Sequence, residues 1–269
     1  MPFTKMHGLG NDYVYLDERE VEVGDVPAWS RILSDRHRAI GSDGLIILRR
    51  DPEHACRMEM VNADGSRAEM CGNGIRCVAR LARERGYVDR DRFTIATDAG
   101  VLEAEVDLSK TPVQVRVDMG RAKIVESNVT LIANGQSFTG SIVDVGNPHF
   151  VIPISVSPQS VPLETVGPIL EHDERFPHRA NIEFVCPTNR TSIEFRVWER
   201  GSGETRACGT GATAAAAALR ALDLVDSIST VHLLGGDLTI EVGDDGRCWM
   251  TGPAEESFRG TFPRSLIDG

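Results

Sequence analysis

The chain has no excess of basic charge: 29 Lys and Arg stand against 40 Asp and Glu, a net charge of −11 over 269 residues. With no basic field to release counterions from a phosphate backbone or to hold an anionic bilayer, nucleic acid and membrane are excluded as expected partners. Long apolar runs are missing too. No stretch approaches the ~18 apolar residues of a membrane helix, and Met1-Pro2-Phe3-Thr4-Lys5-Met6-His7-Gly8 has none of the apolar core of a secretory signal. A soluble, cytoplasmic protein is the expectation. Cysteine is scarce: the six fall at 56, 71, 77, 186, 208 and 248, with no Cys-x-x-Cys and no Cys-to-His spacing of the zinc-finger kind. That excludes a disulfide scaffold and argues for reduced thiols and no metal site. Gly8-Leu9-Gly10 and Gly209-Thr210-Gly211 are followed by neither Gly-Lys-Ser/Thr nor a complete dinucleotide fingerprint, so nucleotide binding is not expected.

What is present is a globular composition, 41% hydrophobic, and at roughly 150 residues per domain a length that favours two domains. An internal repeat divides the chain the same way. Met70-Cys71-Gly72-Asn73-Gly74-Ile75 matches Ala207-Cys208-Gly209-Thr210-Gly211-Ala212 at an offset of 137. The same offset carries Asn62-Ala63-Asp64-Gly65-Ser66 onto Glu199-Arg200-Gly201-Ser202-Gly203, and Gly10-Asn11-Asp12-Tyr13-Val14 matches Gly146-Asn147-Pro148-His149-Phe150 at 136. Three matches in the same order imply two halves of similar fold, joined near Ser109-Lys110-Thr111-Pro112.

Each Cys-Gly-x-Gly opens a helical pattern. Ile75, Val78, Ala79 and Ala82 stand at i, i+3, i+4 and i+7, with Gly86 placed to end the helix; Ala212, Ala215, Ala216 and Leu219 repeat the spacing. Unbroken alanine from Ala214 to Ala218 permits close approach on every side, as in a central buried helix. Elsewhere period-two alternation and short apolar runs predict strands: Val113–Met119, Ile193–Trp198, Leu45–Leu48, Phe93–Thr97, Leu102–Val106, Phe150–Ile154, Ile182–Val185 and Leu238–Val242. Many strands around few helices, with short Gly, Asp, Asn and Pro turns, predict an α+β fold. Each half is expected to be a mainly antiparallel, barrel-like sheet around a central helix.

A cysteine that opens a helix sees outward-pointing N–H groups and the positive end of the macrodipole, which lower a thiol from ~8.5 toward ~7. The same N–H groups suit a carboxylate. A single Cys-Gly-x-Gly reads equally as a helix start with an inert thiol; the constant offset is what favours chemistry. Two such termini facing each other across a cleft would put Cys71 and Cys208 on opposite sides of one α-carbon, where one thiolate removes a proton and the other thiol delivers one. Cys56, Cys77, Cys186 and Cys248 read as structural thiols. His149 reads as a core or turn histidine or as part of the site, and Arg200 as half of a solvated pair with Glu199 or as a carboxylate clamp.

Phe3-Thr4-Lys5-Met6-His7-Gly8-Leu9-Gly10-Asn11-Asp12, Asn62 to Ser66 with Glu69 to Gly74, Gly146 to His149, and Glu199 to Thr205 with Ala207 to Gly211 resemble the diaminopimelate epimerase family. The resemblance implies a cofactor-independent, PLP-independent two-base epimerase. It would interconvert LL- and meso-2,6-diaminopimelate in lysine and peptidoglycan precursor biosynthesis, with Cys71 and Cys208 as catalytic thiols. Substrate contacts carry over to Asn11, Asn62, Gly72, Asn73, Asn147, Asn181, Glu199, Arg200, Gly209 and Thr210, and thiol tuning to His149 and Glu199. The implied halves are residues 1–112 with the tail 254–269 returning to them, and residues 113–253, with the active site in the cleft between. A cytoplasmic homodimer is also implied. One departure is Gly44, where the family often carries a substrate-contacting Gln. Related racemases of proline and hydroxyproline typically read Met-Cys-Gly-His-Gly and Pro-Cys-Gly-Thr-Gly, against which Asn73 and Ala207 speak. A non-catalytic amino-acid-binding protein on the same scaffold would have no need of paired thiols.

Overall fold

The computed structural model describes residues 1–267. It divides into two compact units, Met1–Val117 with the chain from Gly252 onward, and Asp118–Thr251. The first unit contains β1 (Pro2–Gly8), β2 (Asn11–Asp17), α1 (Val26–Leu33), β3 (Gly44–Arg49), β4 (Cys56–Asn62), β5 (Arg67–Ala68), α2 (Gly72–Glu84), β6 (Arg92–Thr97), β7 (Gly100–Asp107) and the start of β8 (Gln114–Arg121). The second contains β9 (Lys123–Ala133), β10 (Gln136–Asp144), β11 (Pro148–Pro153), α3 (Leu163–Glu171), β12 (Asn181–Asn189), β13 (Ser192–Glu199), β14 (Gly203–Glu204), α4 (Gly209–Ala221), β15 (Ile228–Leu233), β16 (Gly236–Val242) and most of β17 (Arg247–Pro253). The chain then returns to the first unit through β18 (Glu255–Thr261), which pairs with β1. The unit boundaries lie inside β8 and β17; Ser109 to Pro112 is the turn of the β7–β8 hairpin, a few residues before the first boundary.

The fold is α+β, and the two units repeat it element by element. In the first, β1–β2, β3–β4, β4–β5, β6–β7 and β7–β8 are antiparallel, while β2–β3 and β4–β6 are parallel. In the second, β10–β11, β12–β13, β13–β14, β15–β16 and β16–β17 are antiparallel, while β11–β12 and β13–β15 are parallel. The parallel pairs follow from the helices, since a crossover through α1, α2, α3 or α4 returns the chain in the direction it left.

Each sheet is covered on both faces. In β3, Leu45 and Ile47 join Val14, Leu16, Trp29 and Leu33 of β2 and α1 in one core. Ile46 and Leu48 on the other face are equally buried, so the strand reads as one continuous apolar run. In β12, Ile182 and Phe184 join Leu163, Val166 and Leu170 of α3, leaving Asn181 and Glu183 on the opposite face. That second face wraps the central helix: α2 packs on β1, β2, β3, β4 and β7, and α4 on β10, β11, β12, β13, β15 and β16. α4 is buried on all sides from Ala212 to Leu219, which small side chains allow because the strands approach its backbone closely. Among the described residues no helix is long and apolar enough to cross a membrane.

Candidate active site

Both cysteines stand one residue before the helix, at the N-cap, and not at its first position as the sequence suggested. Cys71 has φ −137° and ψ 121°, Cys208 φ −122° and ψ 107°, both extended. In each, the sulfur takes the place of the usual Ser, Thr, Asp or Asn oxygen: Gly74 N–H donates to Cys71 Sγ and Gly211 N–H to Cys208 Sγ, each at 3.4 Å. The preceding strand hairpin is delivered by the same turn in both units, with Gly10 and Gly146 at φ 85° and 89°, a region that an L side chain enters at a cost.

Two side chains from β2 hydrogen-bond Cys71. The thiol donates to Asn11 Oδ1 at 3.3 Å and receives the Tyr13 hydroxyl at 3.8 Å. Burial, reinforced by the neighbouring Cys71, holds the Tyr13 phenol well above its ordinary pKa, so it remains a donor. Asn11 is fixed in turn by Asp43, which accepts from its Nδ2 at 2.9 Å, and by Asn73 Nδ2, which donates to the same Oδ1 at 3.4 Å. Behind Asn73 lies the fully buried Arg76, donating to Asn73 Oδ1, Gly72 O and Pro253 O, each at 3.0 Å.

Around Cys208 the partners are acidic. Glu199 accepts from Thr205 Oγ1, and burial raises its carboxyl while the Thr205 and Cys208 hydrogen bonds pull it down. Thr210 Oγ1 lies 3.6 Å from the sulfur. His149, fully buried, has Nδ1 2.6 Å from Glu183 Oε1 and Nε2 2.9 Å from Asn147 Oδ1. Asn181 donates to Pro148 O at 3.1 Å and accepts from Arg200 N–H at 3.0 Å. The Gly211 N–H of the helix start pulls this thiol down but is outweighed: burial first, then the charges of Glu199 and Glu183, push Cys208 well above the ordinary thiol range, so the resting group is an S–H.

The expected residues thus gather in two groups. Asn11, Cys71, Gly72 and Asn73 are joined by hydrogen bonds in one unit; Asn147, His149, Asn181, Glu199, Cys208, Gly209 and Thr210 cluster in the other. Asn62 donates from its Nδ2 to Ser66 Oγ at 3.0 Å and pairs across the ladder with Gly44. The Arg200 guanidinium is exposed and rests on His178 O at 3.3 Å, on none of the expected site residues. At Gly44 a Cβ would meet Val61 O at 2.3 Å and Tyr13 Cε1 at 3.1 Å, so no side chain fits between β3 and β4 without a backbone shift. Tyr13, Asp43, Arg76 and Glu183 are additions that the sequence reading missed. Tyr13 had a signal, since it matches His149 in the repeat; Glu183 had a fainter one, as the lone acid in an otherwise apolar strand.

The glycines three residues into each motif are required by this packing. A Cβ on Gly211 would stand 2.9 Å from Glu183 Oε1 and 3.2 Å from Cys208 Sγ; on Gly74 it would stand 2.8 Å from Ile46 Cδ1. Alanine is the better helix former by about 1 kcal/mol, yet Gly211→Ala is expected to lose about 1–3 kcal/mol of stability through overpacking. Urea unfolding of the variant tests this, and an unchanged or raised midpoint would refute it.

The sequence pattern of diaminopimelate epimerases matches residues 3–125 and 141–256. Diaminopimelate epimerases of Moorella thermoacetica and Bacillus subtilis are each 42% identical to this chain, the first over 98% of it and 99% of the relative, the second over 97% and 98%. A probable proline racemase from Agrobacterium radiobacter K84 is similar in fold, with a TM-score of 0.75 at 13% identity, covering 98% of this chain and 93% of the other.

Proposed function

The chain belongs to the diaminopimelate epimerase family, and we propose that it inverts the α-carbon of LL-2,6-diaminopimelate to the meso form and back with two thiols and no cofactor. The observation that carries this reading is the duplicated half-site: one cysteine sulfur per unit caps a buried helix through the same N–H···S bond, Gly74 to Cys71 and Gly211 to Cys208.

The reaction is redox-neutral. One sulfur, as thiolate, takes the α-proton, and the C–H electron pair passes into the adjoining carboxylate as an enediolate. The second sulfur, as thiol, gives its proton to the opposite face. Each turnover exchanges the protonation states of the two sulfurs, so the product leaves an enzyme poised for the reverse direction. The first-turn N–H groups at Gly72 and Asn73 and at Gly209 and Thr210 suit the developing negative charge, where preorganised donors contribute a few kcal/mol each. Burial with two carboxylates favours a neutral Cys208, and the reactive form has one proton removed from the pair of thiols. Asn62, Asn147, Asn181, Glu199 and Arg200 are assigned to the second amino-carboxylate head group and to orientation, with the Arg200 guanidinium turning from His178 O to do so. His149 and Glu199 are assigned to tuning Cys208. The family reading also carries a cytoplasmic homodimer serving lysine and peptidoglycan precursor synthesis.

Reduced enzyme in deuterated water with LL-diaminopimelate, and no added cofactor, is expected to incorporate α-deuterium as the LL-to-meso ratio approaches equilibrium. Absence of exchange would overturn the assignment; exchange with proline or hydroxyproline instead would move the protein to the other racemase activity.

A further inference from the structure

The two half-sites differ at one position that neither the repeat nor the two-thiol reading assigns. At the offset of 137, Ile46 corresponds to Glu183 and Met58 to Phe195. The structure honours that correspondence atom for atom: a Cβ on Gly74 would meet Ile46 Cδ1, Met58 Cε and Cys71 Cβ, whereas one on Gly211 would meet Glu183 Oε1, Cys208 Sγ and Phe195 Cζ. Where the first unit closes the pocket behind its sulfur with an isoleucine, the second uses a carboxyl group of zero exposure.

A carboxyl buried this deeply is retained only if its surroundings use it. Glu183 Oε1 lies 2.6 Å from His149 Nδ1, while Oε2 has no hydrogen-bond partner among the described residues and is closed off from solvent. The titratable groups facing it are His149 on β11, Glu199 at the end of β13 and Cys208 at the start of α4. His149 Nε2 lies 2.9 Å from the side-chain amide of Asn147, which holds the other edge of the ring. The 2.6 Å contact at Nδ1 fixes the ring against the carboxyl group, and the charge of that acid faces Cys208.

We propose, on the two-thiol reading above, that Glu183 is a positioning residue of the Cys208 half-site. Its carboxylate accepts from His149 Nδ1 and so fixes the ring, and it sets a negative charge beside the Cys208 sulfur where Ile46 stands beside Cys71. The two thiols therefore work in unlike electrostatic surroundings despite equivalent backbones. Glu183 touches no substrate in this scheme and acts through His149 and through its field at Cys208.

Glu183→Gln keeps the shape and a hydrogen bond to Nδ1 but removes the charge. Rates of iodoacetamide alkylation are followed from pH 6 to 10 by peptide mass spectrometry, without substrate, for Cys208 and Cys71 separately. The expected result is a fall of about one pH unit in the Cys208 midpoint, the size of a nearby like charge removed, with the Cys71 midpoint unmoved. Glu183→Ile, which copies the first unit, is expected to lose about 10–100-fold in kcat, as for the loss of a residue that orients another, with KM within about twofold. A Cys208 midpoint unmoved in folded Glu183→Gln, or equal movement of both cysteines, would overturn the proposal. Because the alkylation measurement needs no substrate, failure of the deuterium experiment and failure of the Glu183 assignment remain separate results.

Discussion

Replacement of either Cys71 or Cys208 by alanine is expected to cost at least about 10⁴-fold in epimerisation, near the upper end of what positioned acid–base groups supply. The reaction needs a proton removed on one face and delivered on the other, and the side chains bonded to the Cys71 sulfur do not replace it: Asn11 is an amide, and burial keeps the Tyr13 phenol protonated. The carboxylates at Cys208 sit behind the sulfur, against Gly211 and Thr205. Since the two sulfurs act as one unit, the double variant is expected to be no worse than either single one. Serine is no substitute, because its hydroxyl does not ionise near neutrality. The structural cost is separable: each alanine removes one N-cap bond, worth about 0.5–2 kcal/mol, and so a few degrees of melting temperature. Turnover assays beside thermal unfolding give the answer, and a folded single variant retaining even a tenth of wild-type kcat would end the two-base mechanism.

Much of this site is legible in the chain as written. The spacing of Ile75, Val78, Ala79 and Ala82 marks the buried stripe of α2, and the alanines from Ala214 to Ala218 mark a helix enclosed on every side. The constant offset between the Cys-Gly-x-Gly motifs pairs Cys71 with Cys208 because gene-length repetition preserves spacing even where side chains diverge. What escapes is whatever depends on which strands become neighbours. The parallel pairs β2–β3 and β11–β12 join segments about thirty residues apart, and periodicity within a strand carries no sign of its partner. Ile182-Glu183-Phe184-Val185 does not reveal its two faces, because both are covered; only the register with β11 shows that Glu183 turns toward α4 and His149. The pKa of Cys208 escapes for the same reason. A helix start is visible in sequence and argues for a lowered value, whereas the burial and the carboxylates that raise it belong to β12 and β13.

Arg76→Met is expected to destabilise the first unit by about 3 kcal/mol and to lower turnover about tenfold, although Arg76 touches neither sulfur. Its guanidinium is wholly buried, and burial lowers its pKa against the pull of its surroundings. Methionine fills similar volume and relieves the cost of a buried charge, but it takes the guanidinium donors from Pro253 O and Asn73 Oδ1 and the side-chain bond from Gly72 O, which keeps its helical N–H partner. An acceptor stranded in the interior costs about 1–3 kcal/mol, so these losses outweigh the relief. The position corresponds to Thr213 in the second unit, whose hydroxyl donates to Gly209 O at 2.9 Å as Arg76 does to Gly72 O. The larger side chain is needed because the first unit must also hold the returning chain. Arg76 binds Pro253 O and Arg80 binds Ala254 O at 2.8 Å, which ties the segment before β18 to α2. Room for the guanidinium comes from Gly8, where a Cβ would stand 2.7 Å from Nη2. The catalytic effect follows from the other end of the same group: Arg76 aims Asn73, Asn73 aims Asn11, and Asn11 receives the Cys71 proton. Loss of the first link is expected to lower kcat with little change in KM, alongside a fall of roughly 10 °C in melting temperature. A folded Arg76→Met protein of undiminished stability and turnover would show that this chain of hydrogen bonds transmits nothing to the thiol.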